Sequence, residues 1–173
     1  YGFLLAAIRS PDPVIVLEPE RIYRSFKEEV IDDGQQIDLE QCLVWRKGAD
    51  ITLIAWGAMV QDCLQAAEQL AQHGIEAEVI DVACLKPLDM ETIINSVALT
   101  GRCVIVQEAV KSGGLGSEIA ARIADTAFYA LRAPIKIVSP PDVILPYFKL
   151  EQAYLPQIAD IVQTCRTLME VSK

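Results

Sequence analysis

Four residues have the types and spacing of a phosphate-binding loop: Gly113, Gly114, Leu115 and Gly116 follow an apolar run and precede a helical pattern. Such a loop holds a cofactor diphosphate at the positive end of a helix. The dinucleotide fingerprint needs a third glycine that is missing here, and no Gly-Lys-Ser/Thr sequence occurs. Glu118 would place a carboxylate in the first helical turn, where it repels a diphosphate. The pattern therefore favours a tight turn that packs backbone closely, with nucleotide binding as the alternative.

Acid–base or nucleophilic chemistry is the second possibility. The single histidine, His73, stands beside Gly74 at the end of a helical pattern, where a histidine commonly interacts with terminal carbonyls. Three carboxylates, Glu18, Asp81 and Glu108, stand at or just after the ends of apolar runs. Ligands usually bind at that edge of a parallel sheet, but carboxylates there are also common helix caps. No pair stands out as catalytic.

Composition excludes several classes. The net charge of -9, with 15 basic and 24 acidic residues, argues against a nucleic-acid partner. No run approaches the ~18 apolar residues of a membrane span, and the balance suits a soluble cytosolic protein. The five cysteines form no CxxC pair, so we interpret them as reduced, buried thiols without a metal.

A cluster of aromatic and apolar residues near proline-rich loops is the third candidate. Tyr147, Phe148, Tyr154 and Leu155 follow Pro140-Pro141 and Pro146. Rigid loops that carry aromatic residues suit a partner interface, and they suit a small satellite core equally well.

The elements that must position these residues alternate between strand and helix. Apolar runs predict strands over 14–17, 43–48, 51–55, 77–82, 103–106 and 135–138, and helical periodicity predicts helices over 2–8, 59–73, 89–99, 117–131 and 150–169. Asp89 is the expected N-cap of the third helix, with Gly101 closing it. This order predicts an α/β fold with three α/β/α layers and a mostly parallel sheet.

Residues 19–41 are polar and lack periodicity, which is typical of a linker. We therefore expect residues 1–18 to be the tail of a preceding domain and residues 42–173 to form a complete one. From these residues alone, the chain is a soluble α/β domain without a self-sufficient active site.

Five segments together resemble one family in the same order: LLAAIRSPDPVIVLEPERIYR, ITLIAWGAMVQDCLQAAEQLAQHGIEAEVIDVACLKPLDMETIINSV, GRCVIVQEAVKSGGLGSEIAARIAD, APIKIVSPPDVILPY and LEQAYLP. The chain resembles the beta subunit of the thiamine-diphosphate-dependent 2-oxo acid dehydrogenases, the decarboxylating first component of the pyruvate and branched-chain complexes. The resemblance covers almost the whole chain and is weakest between residues 26 and 41.

The resemblance implies a transketolase-like C-terminal domain, preceded by a linker and the end of a pyrimidine-binding domain. It implies thiamine diphosphate and magnesium in the intact α2β2 enzyme, a pyruvate dehydrogenase as the first choice, in a bacterial cytoplasm or a mitochondrial matrix. This part would bind no cofactor and carry no catalytic residue, and the isolated chain would be inactive. A branched-chain enzyme, or a separate small-molecule-binding domain, is the alternative.

The implied partners are the alpha subunit, a second beta subunit and the subunit-binding domain of the dihydrolipoyl acyltransferase. Where the family often has an acidic residue before the last strand, this chain has Arg132, so docking there would rely on neighbours such as Glu118 and Asp125. The candidate interface residues are Leu115, Glu118, Ile119, Arg132, Tyr147 and Phe148.

Overall fold

The computed structural model describes residues 1–27 and 29–171, and of Phe148 it describes the backbone. The strands are β1 (Leu43–Arg46), β2 (Ile51–Ala55), β3 (Ala77–Asp81), β4 (Cys103–Val106) and β5 (Lys136–Val138). The helices are α1 (Gly2–Arg9), α2 (Met59–Ala71), α3 (Met90–Thr100), α4 (Leu115–Ala127), α5 (Glu151–Tyr154) and α6 (Ile158–Val171). Single 3-10 turns lie at Glu20–Ile22, Phe128–Ala130 and Phe148–Leu150.

The five strands form one sheet in the order β1-β3-β2-β4-β5. Strand β2 pairs in parallel with both β3 and β4, and β4 pairs in parallel with β5. Strand β1 is antiparallel to β3 at one edge. All five residues of β2 are buried, as expected for a central strand with helices on both faces.

Two apolar cores lie on opposite faces of the sheet, so the predicted three-layer fold is confirmed. On one face, α2 and α6 contribute Cys63, Leu70, Ile161 and Leu168. On the other, α3 and α4 contribute the buried residues Ile93, Val97, Ile119 and Ile123. These side chains recur at the helical spacing that places them on the sheet-facing stripe of each helix.

The ends of α3 follow the sequence prediction. An Asp89 carboxylate oxygen accepts a hydrogen bond from the Thr92 backbone N–H at 3.0 Å, and the other oxygen accepts one from the Cys42 N–H, also at 3.0 Å. Gly101 closes the helix with a left-handed φ of 72°. Asp89 therefore caps α3 and also links the start of this helix to Cys42, the residue before β1.

Three predicted elements were wrong. Residues 14–17 form no strand and are exposed, because no strand in the described part of the chain pairs with their backbone groups. Helix α4 begins at Leu115 instead of residue 117 and gives way after Ala127 to a 3-10 turn. The last predicted helix is two helices, because Pro156 between them lacks the N–H that helix continuation needs.

Candidate functional site at the glycine turn and the carboxyl edge of the sheet

The glycine turn, which we define as residues 111–116, connects the carboxyl end of β4 to α4. Gly113 has a left-handed φ of 69°, and the Gly114 N–H donates to the Lys111 carbonyl at 3.2 Å. Glycine adopts a left-handed backbone conformation at little energetic cost, which explains why position 113 is a glycine. The turn lies where a ligand would meet the N-terminus of α4.

The side chain of Gln107 fills that place. Its Nε2 donates to the carbonyls of Ala109 and Val110 at 3.0 and 2.9 Å, and its Oε1 accepts from the Gly116 N–H at 2.8 Å. Gln107 is completely buried. The Gln107 side chain thus accepts the hydrogen bond of a helix N–H that would otherwise be available to a phosphate. Its bonds to the two carbonyls fix the conformation of the loop.

Two glycines approach Gln107 too closely to carry a side chain. A Cβ on Gly116 would lie 2.5 Å from Gln107 Oε1 and 3.1 Å from Ile105 Cγ2, and one on Gly114 would lie 2.5 Å from Gln107 Nε2. Gly116 is buried inside α4 and is not among the positive-φ glycines. Its requirement is therefore space and not an unusual backbone conformation.

Sequence reasoning missed Gln107. The available signal was a polar residue placed directly after the fully buried strand β4 and just before a glycine cluster. A buried amide must satisfy one acceptor and two donors, and the backbone of a tight loop offers suitable partners.

The candidate interface residues at the start of α4 have different environments. Leu115 is half-buried and packs against the second core, while Glu118 is exposed and forms an ion pair with Arg122 at 2.7 Å. Ile119 is completely buried in the same core, so its side chain has no surface to offer a partner. The expected contact through Ile119 is therefore corrected to a core role.

The three carboxylates that the sequence placed at strand ends have different partners, and Glu18 follows a segment that forms no strand. Glu18 accepts from the Tyr23 hydroxyl at 2.5 Å, and Asp81 accepts from Trp45 Nε1 at 3.2 Å. Burial raises the pKa of Asp81, and the Trp45 hydrogen bond offsets part of that rise. A shifted pKa also occurs at structural positions, so the shift at Asp81 does not by itself mark a catalytic residue.

Glu108 lies in an acidic group at the carboxyl edge. Burial raises its pKa, the nearby Arg21 lowers it, and Asp62 and Glu151 raise it further. Arg21 Nη2 lies 2.5 Å from Asp62 Oδ2, and Arg21 Nε lies 3.7 Å from Glu108 Oε1. The turn at Glu20–Ile22 is therefore held to the first turn of α2 and to the segment after β4 through one guanidinium.

The aromatic residues after β5 divide between core and surface. Tyr154 and Leu155 are buried, whereas Tyr147 is 89% exposed. The side chain of Phe148 lies outside the described part. The loop is held to the glycine turn because the Ser112 hydroxyl donates to the Asp142 carboxylate.

Arg132 lies at the opposite, amino edge of the sheet. Its backbone N–H donates to the Gly101 carbonyl at 2.7 Å, and its side-chain stem packs over that glycine. Glu118 is in the first turn of α4, about 14 Å along the helix axis before its last residue, Ala127, so it is not a neighbour of Arg132. Asp125 is near the end of α4 that faces Arg132.

An exposed apolar patch, which the sequence did not single out, lies at this amino edge. It consists of Leu99, Phe128 and Tyr129, with the two rings edge-to-face at a centroid distance of 5.4 Å. The signal was available, because Phe128 and Tyr129 follow the buried stripe of α4 that ends at Ala127. We call these three residues the amino-edge patch.

The remaining sequence candidates have structural roles. His73 Nδ1 lies 2.8 Å from the Gln69 carbonyl, in line with the expected contact at the helix end. All five cysteines are free thiols, and burial raises the pKa of Cys42 and of Cys165 to about 12. Within residues 1–27 and 29–171, no group of three metal-ligating side chains occurs and no helix is long and apolar enough to cross a membrane.

The fold and this arrangement define a known class of domain. Residues 40–161 match the family described as transketolase, C-terminal domain, and the chain belongs to that family.

Among individual proteins, the chain is 43% identical over 169 residues to the pyruvate dehydrogenase E1 component subunit beta of Bacillus subtilis and to that of Staphylococcus epidermidis. Each alignment covers 98% of this chain and 52% of the relative, so the chain spans about half the length of these relatives.

Solved structures agree with the assignment to the transketolase C-terminal domain family. A split-gene transketolase in an inactive beta4 tetramer is 31% identical, with a TM-score of 0.69, over 84% of this chain and 47% of that chain. A transketolase mutant from Pichia Stipitis, 11% identical with a TM-score of 0.54 over 76% of this chain and 18% of that one, shares the fold.

Proposed function

We propose that this chain is the C-terminal part of the beta subunit of a pyruvate dehydrogenase, in which it serves subunit assembly. The observation that carries the proposal is the 43% identity to two bacterial beta subunits, which extends over 98% of the chain. An identity of this size across a whole domain supports a shared role in the same assembly. By the same argument, the protein works in a bacterial cytoplasm.

The described side chains favour a role in subunit assembly and not a role in catalysis. Thiamine diphosphate with magnesium supplies the decarboxylation chemistry in the intact enzyme, and the residues here do not fit that group. Gln107 occupies the helix N–H at the glycine turn, and no cluster of metal-ligating residues is present in the described part. The strand-end carboxylates Asp81 and Glu108 have separate partners.

The proposed partners are the alpha subunit, a second beta subunit and the acyltransferase core. The amino-edge patch offers an apolar centre for the contact between two beta subunits, and charges of both signs, Asp125 and Arg132, lie near it. Such a surface can face its own copy across a two-fold axis, because each cation then meets an anion. Docking of a basic acyltransferase domain would use Asp125, since Glu118 is at the other end of α4.

Calorimetric titration tests the proposal against a separate cofactor-binding domain. We expect no heat when thiamine diphosphate and magnesium are added to the 173-residue chain, because no described residues form a diphosphate site. The intact beta subunit mixed with its alpha subunit is the positive control and should show saturable binding. Saturable heat from the chain alone would contradict the proposal.

A further inference from the structure

The stretch of residues 11–27 is exposed almost throughout. Only Pro19 and Ile22 in this stretch are half-buried. They lie at the 3-10 turn Glu20–Ile22, where the Ile22 N–H donates to the Pro19 carbonyl at 3.2 Å. Residues three apart lie on the same side of such a turn, so the two partly buried side chains share one side. We call residues 18–23 the strap.

The strap contacts the segments that follow β2 and β4. Pro19 lies beside Gly57, because a Cβ on Gly57 would be 3.4 Å from Pro19 Cγ. Gly57 connects the end of β2 to α2 and has a left-handed φ of 59°. After β4, Glu108 Oε1 lies 3.7 Å from Arg21 Nε. The strap therefore bridges the two connections.

Strands β2 and β4 are neighbours at the point where the strand order reverses. From β2 the chain continues to β3 on one side of it and then crosses to β4 on the other side. In open parallel sheets, ligands usually bind in the crevice outside the carboxyl ends of two such strands. In this chain, the segments on both sides of that position are in contact with the strap.

Arg21 provides the polar contacts between the strap and the domain. Its Nη2 lies 2.5 Å from Asp62 Oδ2 in the first turn of α2, and its Nε faces Glu108. Among the described residues, no other hydrogen bond or ion pair joins 11–27 to 42–171. Burial raises the pKa of Glu108, Arg21 opposes the rise and Asp62 adds to it. The guanidinium thus contacts two carboxylates that repel each other.

We propose that the strap closes the crevice between the carboxyl ends of β2 and β4, and that Arg21 is the latch that holds it closed. Arginine suits this position because its planar fork offers separate N–H groups to two carboxylates, whereas the ammonium of lysine is a single point charge. While the latch is closed, the chain's own strap occupies the place where a small ligand would enter. When it opens, residues 11–27 lose their polar contact with the domain.

Limited proteolysis of the full-length protein that contains this chain measures how often the strap opens. Chymotrypsin cuts after Tyr23 in the released strap, and the rate follows the population of the open form when opening is fast. Arg21→Gln should speed this cleavage about fivefold, as expected for the loss of a partly exposed ion pair. The matched control is Arg24→Gln, at an exposed arginine of the same stretch that has no partner within the described residues, and it should leave the rate unchanged.

Two further measurements separate the latch from the closure. Arg21→Glu combined with Asp62→Arg exchanges the charges of the pair, and it should return the cleavage rate to within about twofold of wild type. Hydrogen exchange in residues 56–62 and 107–111 should accelerate in Arg21→Gln, because the released strap no longer covers them. Added salt should speed cleavage of the wild type more than that of Arg21→Gln.

Each outcome decides the inference. Cleavage of Arg21→Gln at the wild-type rate would show that Arg21 is not the latch. Equal acceleration by Arg24→Gln would show a general loosening of the stretch, and a charge exchange that restores nothing would rule out the pairing with Asp62. Faster cleavage without faster exchange in 56–62 and 107–111 would show that the strap does not close the crevice. Unchanged melting temperatures of the variants show that the domain stays folded.

Discussion

A Gly116→Val variant is expected to lose about 3 kcal/mol of unfolding free energy, at the upper end of what overpacking costs. The new Cβ would meet Gln107 Oε1 at 2.5 Å and Ile105 Cγ2 at 3.1 Å. The Gln107 side chain can escape this clash only by giving up its 2.8 Å hydrogen bond to the Gly116 N–H. Overpacking and a broken buried hydrogen bond therefore act together.

Chemical denaturation measures this loss, with Ala121→Val as the matched control. Ala121 is exposed on the same helix, so its substitution reports only the cost of a β-branched residue in a helix, about 0.5 kcal/mol. Equal stabilities of the two variants would show that Gly116 does not pack against Gln107.

A Gln107→Leu variant is expected to cost a similar amount, about 3 kcal/mol. Leucine has nearly the same size but leaves the Gly116 N–H and the carbonyls of Ala109 and Val110 without their buried partner. Unpaired buried backbone groups cost more than the net value of the bonds, because they also lose water. Hydrogen exchange at the Gly116 amide should accelerate along with the loss of stability.

Gln107→Glu separates hydrogen bonding from packing. An ionised carboxylate can accept from Gly116 but faces the two carbonyls without a donor, so burial and repulsion raise its folded pKa above the unfolded value. The free energy of unfolding of the variant, relative to wild type, should then be highest at a pH below the unfolded pKa of the new carboxyl. It should fall as the pH rises through the folded pKa. A pH-independent difference from wild type would contradict this role of the amide donor.

Much of the fold could be predicted because local signals agreed with the final packing. Strand β2 is a continuous apolar run, and α3 has both a capping aspartate and a closing glycine. The apolar run at 14–17 gave the same signal as β2 but forms no strand, since pairing depends on a neighbour that local sequence does not show. Pro156 was visible in the sequence, and its effect on the last helix was underestimated.

The site was less predictable than the fold. The packing role of the glycine turn followed from the missing fingerprint glycine and from Glu118, but the side chain it packs around, Gln107, depends on three contacts set by tertiary structure. The burial of Ile119 followed from its place in the apolar stripe of α4, which the interface expectation overlooked. The amino-edge patch was missed although the end of the buried stripe of α4 at Ala127 indicated it, because residue type alone does not distinguish an exposed aromatic side chain from a buried one.

The central claim is that this chain contributes assembly and not catalysis to the enzyme. The most direct test is pyruvate turnover by the assembled alpha and beta subunits, with Asp81→Asn and Glu108→Gln introduced together in this chain. These carboxylates are the strongest acid–base candidates at the carboxyl edge, so a catalytic role would make kcat fall by about 100-fold or more. The account predicts a kcat within about twofold of wild type once assembly is complete. A large loss of kcat in a fully assembled enzyme would contradict it.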